Sequence, residues 1–113
     1  ESNMMFRGLT MRRQVNALKL DEVVMPNRDR ILQTAAQHGA HRIRVFGSVA
    51  RRQDDANSDI DFLVEMEPGR SLFDLGGLLM DLEQLLNTKV DVVTERGLKE
   101  RIRERVLNEA IPL

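Results

Sequence analysis

Three observations predict a small α/β domain, a mixed sheet of three or more strands flanked by helices. Three short runs of the 113-residue chain alternate apolar with polar side chains at a period of two. Other stretches repeat their apolar residues at the three- and four-residue spacing of a helix with one buried face. Their order is helix, strand, strand, helix, strand, helix, the pattern of a sheet with helices packed against it.

Residues 4–25 carry the least regular pattern. Thr10 is placed to cap a short helix bearing Met11, Val15 and Leu18, which Pro26 would end. Residues 1–26 are therefore set apart as an amino-terminal extension, and residues 27–113 are expected to form the domain. The Glu-Ser-Asn ahead of Met4 is expected to be a cloning remnant.

Asn27 stands as an N-cap for NRDRILQTAAQHG, with Ile31, Leu32, Ala35 and Ala36 on one face and Gly39 as the stop. HRIRVF sets Ile43 and Val45 against Arg42 and Arg44, a strand that ends at Gly47. The polar stretch after it reads as a turn, with a helical turn over Val49–Arg52. DIDFLVEME is the second strand, with Ile60, Phe62 and Val64 on one face and Asp59, Asp61, Leu63 and Glu65 on the other. Pro68-Gly69 ends it.

Ser71 and Asp74 fit a capping box, followed by a stripe of Leu72, Leu75, Leu79, Leu82 and Leu86. KVDVVT is the third strand, with Val90 and Val92 opposite Asp91 and Val93. Gly97 is expected to open the last helix, in which Leu98, Ile102 and Val106 recur every four residues. His38 and His41, flanking the first helix stop, read as surface residues.

Composition narrows the function classes. A hydrophobic fraction of 42% beside 31% charged residues is that of a folded globular chain. With four Phe and neither Trp nor Tyr, the core must be built from aliphatic side chains. Without cysteine, disulfides and thiolate metal sites are excluded. No apolar run reaches the length of a membrane span and no signal-peptide pattern is present, so the cytoplasm is expected and a membrane partner is not. The net charge of −1 conceals an asymmetry: residues 1–52 hold ten Lys and Arg against four Asp and Glu, and residues 53–113 hold seven against fourteen. A basic half suits phosphates and an acidic half suits a cation, but no single basic face suits stable nucleic-acid binding.

The chemistry concentrates in VFGSVARRQDDANSDIDFLVE, residues 45–65. Asp59 and Asp61 share one face of their strand, where like charges repel, and Asp91 has the same alternation on a later strand. Were those strands neighbours, three carboxylates would converge, and one would keep its proton unless a cation joined them. Hard oxygen ligands suit Mg²⁺, which shares its coordination sphere with substrate phosphates. Gly47-Ser48, at the preceding strand end, offers backbone N–H groups and a hydroxyl to a triphosphate. Such an arrangement serves two-metal phosphoryl or nucleotidyl transfer. Taken singly, each piece is ordinary: Asp-x-Asp occurs on solvated strands, and Gly-Ser in common turns.

These residues also resemble the minimal nucleotidyltransferases of the DNA polymerase β superfamily, above all the MntA-like antitoxins paired with HEPN-type toxins. That family's signature is Gly-Ser, ten residues, then Asp-x-Asp, with a third carboxylate on a later strand. Here Gly47-Ser48 is followed by residues 49–58 and then Asp59-Ile60-Asp61, and Asp91 matches the third carboxylate. The flanks RVFGSVAR, SDIDFLVE, GRSLFDLGGLLMDLEQLL and RERVLNEAIPL match too, so the resemblance covers residues 27–113. One position departs: the family usually has Gly where this chain has Arg52.

The resemblance implies a polymerase-β-like fold and a Mg²⁺-dependent protein adenylyltransferase with two ions per site and ATP as substrate. It assigns Asp59, Asp61 and Asp91 to the metals and to catalysis, and Gly47, Ser48, Arg51 and Ser58 to the nucleotide. The acceptor it implies is a tyrosine hydroxyl on a HEPN-type ribonuclease toxin, which the added AMP silences. Two alternatives stand beside this one: an antitoxin that masks its toxin by complex formation alone, and a nucleotidyltransferase acting on a small molecule or RNA.

Overall fold

The computed structural model describes residues 18–113, so the helix expected around Thr10, Met11 and Val15 lies outside the described residues. Strands β1 (Ala40–Phe46), β2 (Ile60–Met66), β3 (Val90–Thr94) and β4 (Ile111–Pro112) form one sheet in the order β3-β2-β1-β4. β1 pairs antiparallel with β2 and β4, whereas β2 and β3 run parallel. Helix α1 (Arg28–Gln37) precedes β1, and α2 (Gly47–Ala50), α3 (Leu72–Leu86) and α4 (Glu100–Glu109) fill the connections. The long α3 is what allows the parallel β2–β3 pairing, which no hairpin can join.

One sheet face carries the main core. Val45, Ile60, Phe62, Val64, Val90 and Val92 pack there against Ile31 and Ala35 of α1 and Leu78, Leu82 and Leu86 of α3. Leu20 and Val24, from a π-helical turn at Leu20–Val24, are buried in the same core. A 3-10 turn at Met25–Asn27 leads from them into α1. The other face is covered in part, where Leu63 meets Leu98, ahead of α4, and Val106 of α4. That partial cover leaves the Asp61 end of the face open.

Local chemistry explains most boundaries. Ser71 Oγ accepts the Phe73 N–H at 3.1 Å while Asp74 Oδ2 accepts the Ser71 N–H at 2.9 Å, the expected capping box. Asn87 ends α3 in the left-handed conformation, φ 53°. Gly77 lets α1 approach α3, because a Cβ there would stand 3.0 Å from the His38 ring. His38 is accordingly half-buried and shares a 2.6 Å hydrogen bond with Asp81 across the two helices, rather than lying free on the surface.

Other expectations are corrected. Asn27 occupies the N-cap position, but its side-chain amide donates to the Val23 carbonyl at 2.8 Å and caps nothing. The buried stripe of α3 is rotated: Leu78 replaces Leu72, which is 83% exposed at the free first turn. The residues around Gly97 form a 3-10 turn held by the Thr94 hydroxyl, which accepts the Gly97 N–H at 3.2 Å, and α4 starts only at Glu100. The helical turn after β1 begins at Gly47, not at Val49. Arg44, set opposite Ile43 and Val45 by the alternation, is also buried, beneath Glu95, whose carboxylate it meets at 2.9 Å. A register shift between His41 and Arg44, with Arg42 at φ 52°, turns that stretch of β1.

Two substitutions test this packing. Phe62 is the largest fully buried side chain among the described residues, so Phe62→Ala should cost about 3–5 kcal/mol of unfolding free energy in urea. Leu72→Ser, on the same expected pattern but outside the core, should stay within about 0.5 kcal/mol.

Candidate active site

The site forms where β1 ends. Phe46 pairs with Asp61 across the antiparallel ladder, and Asp61 pairs with Asp91 across the parallel one. Three neighbouring strands thus bring the Gly-Ser turn and two of the three aspartates to one level of the sheet. Asp59 lies just ahead of β2 at the same end, and is exposed, as is Asp91.

Gly47 is required twice over. Its φ of 78° lies in the left-handed region, and a Cβ would collide with Asp61 Oδ2 and stand 3.2 Å from its Cγ. The turn therefore lies directly against the central carboxylate. Val49 and Ala50 anchor α2 in the core, which holds Gly47 and Ser48 at the sheet edge.

The electrostatics of Asp61 follow from this crowding. Partial burial, then the charges of Asp91, Asp59 and Glu109, push its pKa from 3.8 up to about 6, with Arg51 opposing them. Three carboxylates with only oxygen donors, one of them reluctant to ionise, form a donor set suited to a hard divalent cation. Among the described residues, no three His, Asp or Glu side chains already stand as a finished cage for an ion. Rotation of the exposed Asp59 and Asp91 side chains would have to complete one.

The loop between the two motifs is tied down from the amino-terminal side. Lys19 Nζ donates to the carbonyls of Ser58 at 2.6 Å and Asp55 at 3.1 Å, and its backbone N–H reaches the buried Asp54 at 3.3 Å. The Ser58 hydroxyl is turned into this loop, where it accepts the Asp55 N–H at 2.9 Å and donates to Asp55 Oδ1 at 3.2 Å. Of the residues singled out from sequence, Gly47, Ser48, Arg51, Asp59, Asp61 and Asp91 are gathered here, and the Ser58 side chain points its bonds elsewhere.

Arg52 explains its own departure from the family pattern. It sits at φ 57°, where a glycine is at ease and a branched chain is strained. Its guanidinium grips Asp21 with two bonds of 3.1 and 3.0 Å, joining the turn to the Leu20–Val24 segment and drawing the Asp21 pKa down.

Sequence reasoning missed Glu109. This last residue of α4 accepts the Gly47 N–H at 2.7 Å and takes Arg51 Nη1 at 2.9 and 3.1 Å. The ending RERVLNEAIPL was the only signal, and it marked a resemblance without assigning the residue a place.

Two outcomes are expected from these contacts. Between pH 3.8 and about 6, folded Asp61 keeps a proton that the unfolded chain has released, so its contribution to stability falls as pH rises through that window. Urea unfolding in EDTA should therefore show Asp61→Asn gaining on the parent chain from pH 4 to 6 and holding that gain above. At position 52, Arg52→Ala loses the Asp21 pair and keeps the backbone strain, so its melting temperature should fall below that of Arg52→Gly.

Comparison with known proteins places this geometry in a family. Residues 29–113 match the family model described as the nucleotidyltransferase domain. A candidate protein adenylyltransferase of Methanocaldococcus jannaschii is 42% identical over 82 residues, covering 73% of this chain and 88% of the relative. Protein adenylyltransferase MntA of Thermococcus cleftensis is 40% identical over 73 residues, covering 65% of this chain and 74% of its own. A solved structure of a candidate minimal nucleotidyltransferase superposes with a TM-score of 0.74 at 52% identity, covering 81% of this chain and 94% of that one. The same fold recurs at lower identity in a toxin–antitoxin complex with AMP-PNP (TM-score 0.65, 23% identity, covering 76% of this chain and 71% of that one). It recurs again in a complex of the tri-AMPylated Shewanella oneidensis HEPN toxin with its MNT antitoxin (TM-score 0.58, 20% identity, covering 76% and 67%). With the Gly-Ser turn set against paired aspartates, this chain belongs to the nucleotidyltransferase domain family and is a nucleotidyltransferase enzyme.

Proposed function

We propose that this chain is an antitoxin that transfers AMP from ATP to a tyrosine hydroxyl of a HEPN-type ribonuclease toxin and so neutralises it. The observation that carries the reading is the in-register pairing of Asp61 with Asp91 beside the Gly47 turn. The tri-AMPylated toxin bound to its MNT antitoxin supports the acceptor class, and the AMP-PNP complex supports the nucleotide. This chain contains no tyrosine, so a tyrosine acceptor must lie on another protein.

Each residue has a task in that reaction. The Gly47 N–H, the Ser48 hydroxyl and the Arg51 guanidinium hold the β- and γ-phosphates. Asp59, Asp61 and Asp91 are the residues that would hold Mg²⁺, with two ions per site. Bound there, the metal would neutralise phosphate charge and the repulsion among the aspartates. Asp91 also takes the proton of the acceptor hydroxyl. The hydroxyl oxygen then attacks the α-phosphate in line, the bond from the α-phosphorus to the bridging oxygen breaks, and pyrophosphate leaves.

Label transfer tests the reading. The chain is incubated with Mg²⁺, lysate of its source cell, and ATP labelled at either the α- or the γ-phosphate. Label should reach a protein from the α position only, and Asp59→Ala/Asp61→Ala should abolish it. Transfer from the γ position would instead mean a kinase-like reaction. Neutralisation of the toxin that survives the double substitution would mean masking without catalysis.

A further inference from the structure

We propose that Glu109 sets the affinity and selectivity of the phosphate cradle: in the free chain its carboxylate occupies the donors that a nucleotide needs, and only a polyphosphate displaces it. The inference rests on the nucleotidyltransferase reading and adds to it a residue and a selection rule.

The contacts are those an anion would make. A planar carboxylate accepts one backbone N–H, from Gly47 at 2.7 Å, and both of its oxygens meet Arg51 Nη1, at 2.9 and 3.1 Å. Arginine and a backbone N–H are the pair of donors with which proteins grip phosphate oxygens. Glu109 is no loose surface side chain: only 14% of it is exposed. It is also fixed from both sides in the chain, ending α4 just before β4, which pairs with β1 next to the Gly47 turn. Its charge joins those of Asp59, Asp61 and Asp91, so the free site carries four carboxylates and an incoming phosphate meets a donor already taken.

Two consequences follow. A ligand must replace the carboxylate at both donors and make further contacts beyond them to win the cradle, which favours a triphosphate, with its additional phosphate groups, over orthophosphate or a nucleoside monophosphate. The cost of displacement lowers apparent affinity by the fraction of molecules in which the cradle is free. A purely structural role, with Glu109 tying α4 to α2, leads to the opposite outcome, because loss of the tie would loosen the donors and weaken anion binding.

The test is calorimetric titration of inorganic tripolyphosphate, orthophosphate and ATP, in EDTA, into the parent chain, Glu109→Gln and Glu109→Asp. The glutamine keeps the shape and removes the charge, and the aspartate keeps the charge but is too short to meet both donors. Tripolyphosphate should bind Glu109→Gln roughly tenfold tighter than the parent. Glu109→Asp should fall between, and serves alone if the glutamine variant does not fold. Orthophosphate binding, negligible in the parent, should become measurable in Glu109→Gln. The Gly47 amide resonance should shift on removal of the carboxylate and again on tripolyphosphate binding. If the parent binds ATP and both variants bind tripolyphosphate equally or more weakly, the Glu109 proposal is overturned and the nucleotidyltransferase reading stands. If neither parent nor variants bind ATP or tripolyphosphate, in EDTA or when the titration is repeated with Mg²⁺, while remaining folded, that reading fails and the proposal falls with it.

Discussion

The parallel register of β2 on β3 is the constraint on which the rest depends. It pairs Asp61 with Asp91, placing one carboxylate beside another that repels it. A slip of β3 by one residue against β2 would carry Asp91 into the apolar face and turn Val90 and Val92 out of it. The register is therefore held by the core side of the same strands, where Ile60, Phe62, Val64, Val90 and Val92 are buried against α1 and α3. Hydrophobic packing on one face keeps like charges together on the other. Burial, and after it this repulsion, push the Asp61 pKa up to about 6.

The open end of the acidic face is as important as its charge. Leu63 lies on the same face as Asp61, yet it is sealed beneath Leu98 and Val106. The cover buries Leu63 fully and Asp61 only in part, so two residues on one strand meet different environments. From its last turn α4 then returns Glu109 to the Gly47 turn, and a helix that begins as a hydrophobic cover ends as a polar contact inside the site.

The segment ahead of α1 takes part in the same construction. Leu20 and Val24 enter the core, Lys19 holds the loop that delivers Asp59, and Asp21 receives Arg52. A backbone conformation that favours glycine can carry an arginine here because the side chain gains a bidentate partner. The departure at position 52 thus becomes a link between the segment and the Gly-Ser turn.

Much of this was legible in the chain itself, and the exceptions share a cause. The three long strands, α1, α3 with its capping box, and the Gly-Ser and Asp-x-Asp elements are local patterns, dictated by residue type and spacing. The face of α3 that is buried was misjudged by one position of the stripe, because Leu72 belongs to a first turn that no neighbour covers. β4 has two residues and a proline, too short to carry any periodicity, and exists only because β1 offers an edge. The alternation sets Arg44 opposite Ile43 and Val45 but does not record the 3-10 turn at Glu95 that closes over it.

The sequence alone determined which groups were available: oxygen ligands without thiols, a glycine at the turn, and an aspartate spacing that points to phosphate and metal. Only the tertiary structure decided which of them meet. Gly47 and Glu109 are separated by 62 positions, and Arg44 and Glu95 by 51, distances at which no local pattern records a contact. Such contacts arise when strand pairing and helix packing settle together, since the free energy that selects them belongs to the whole core and not to either residue.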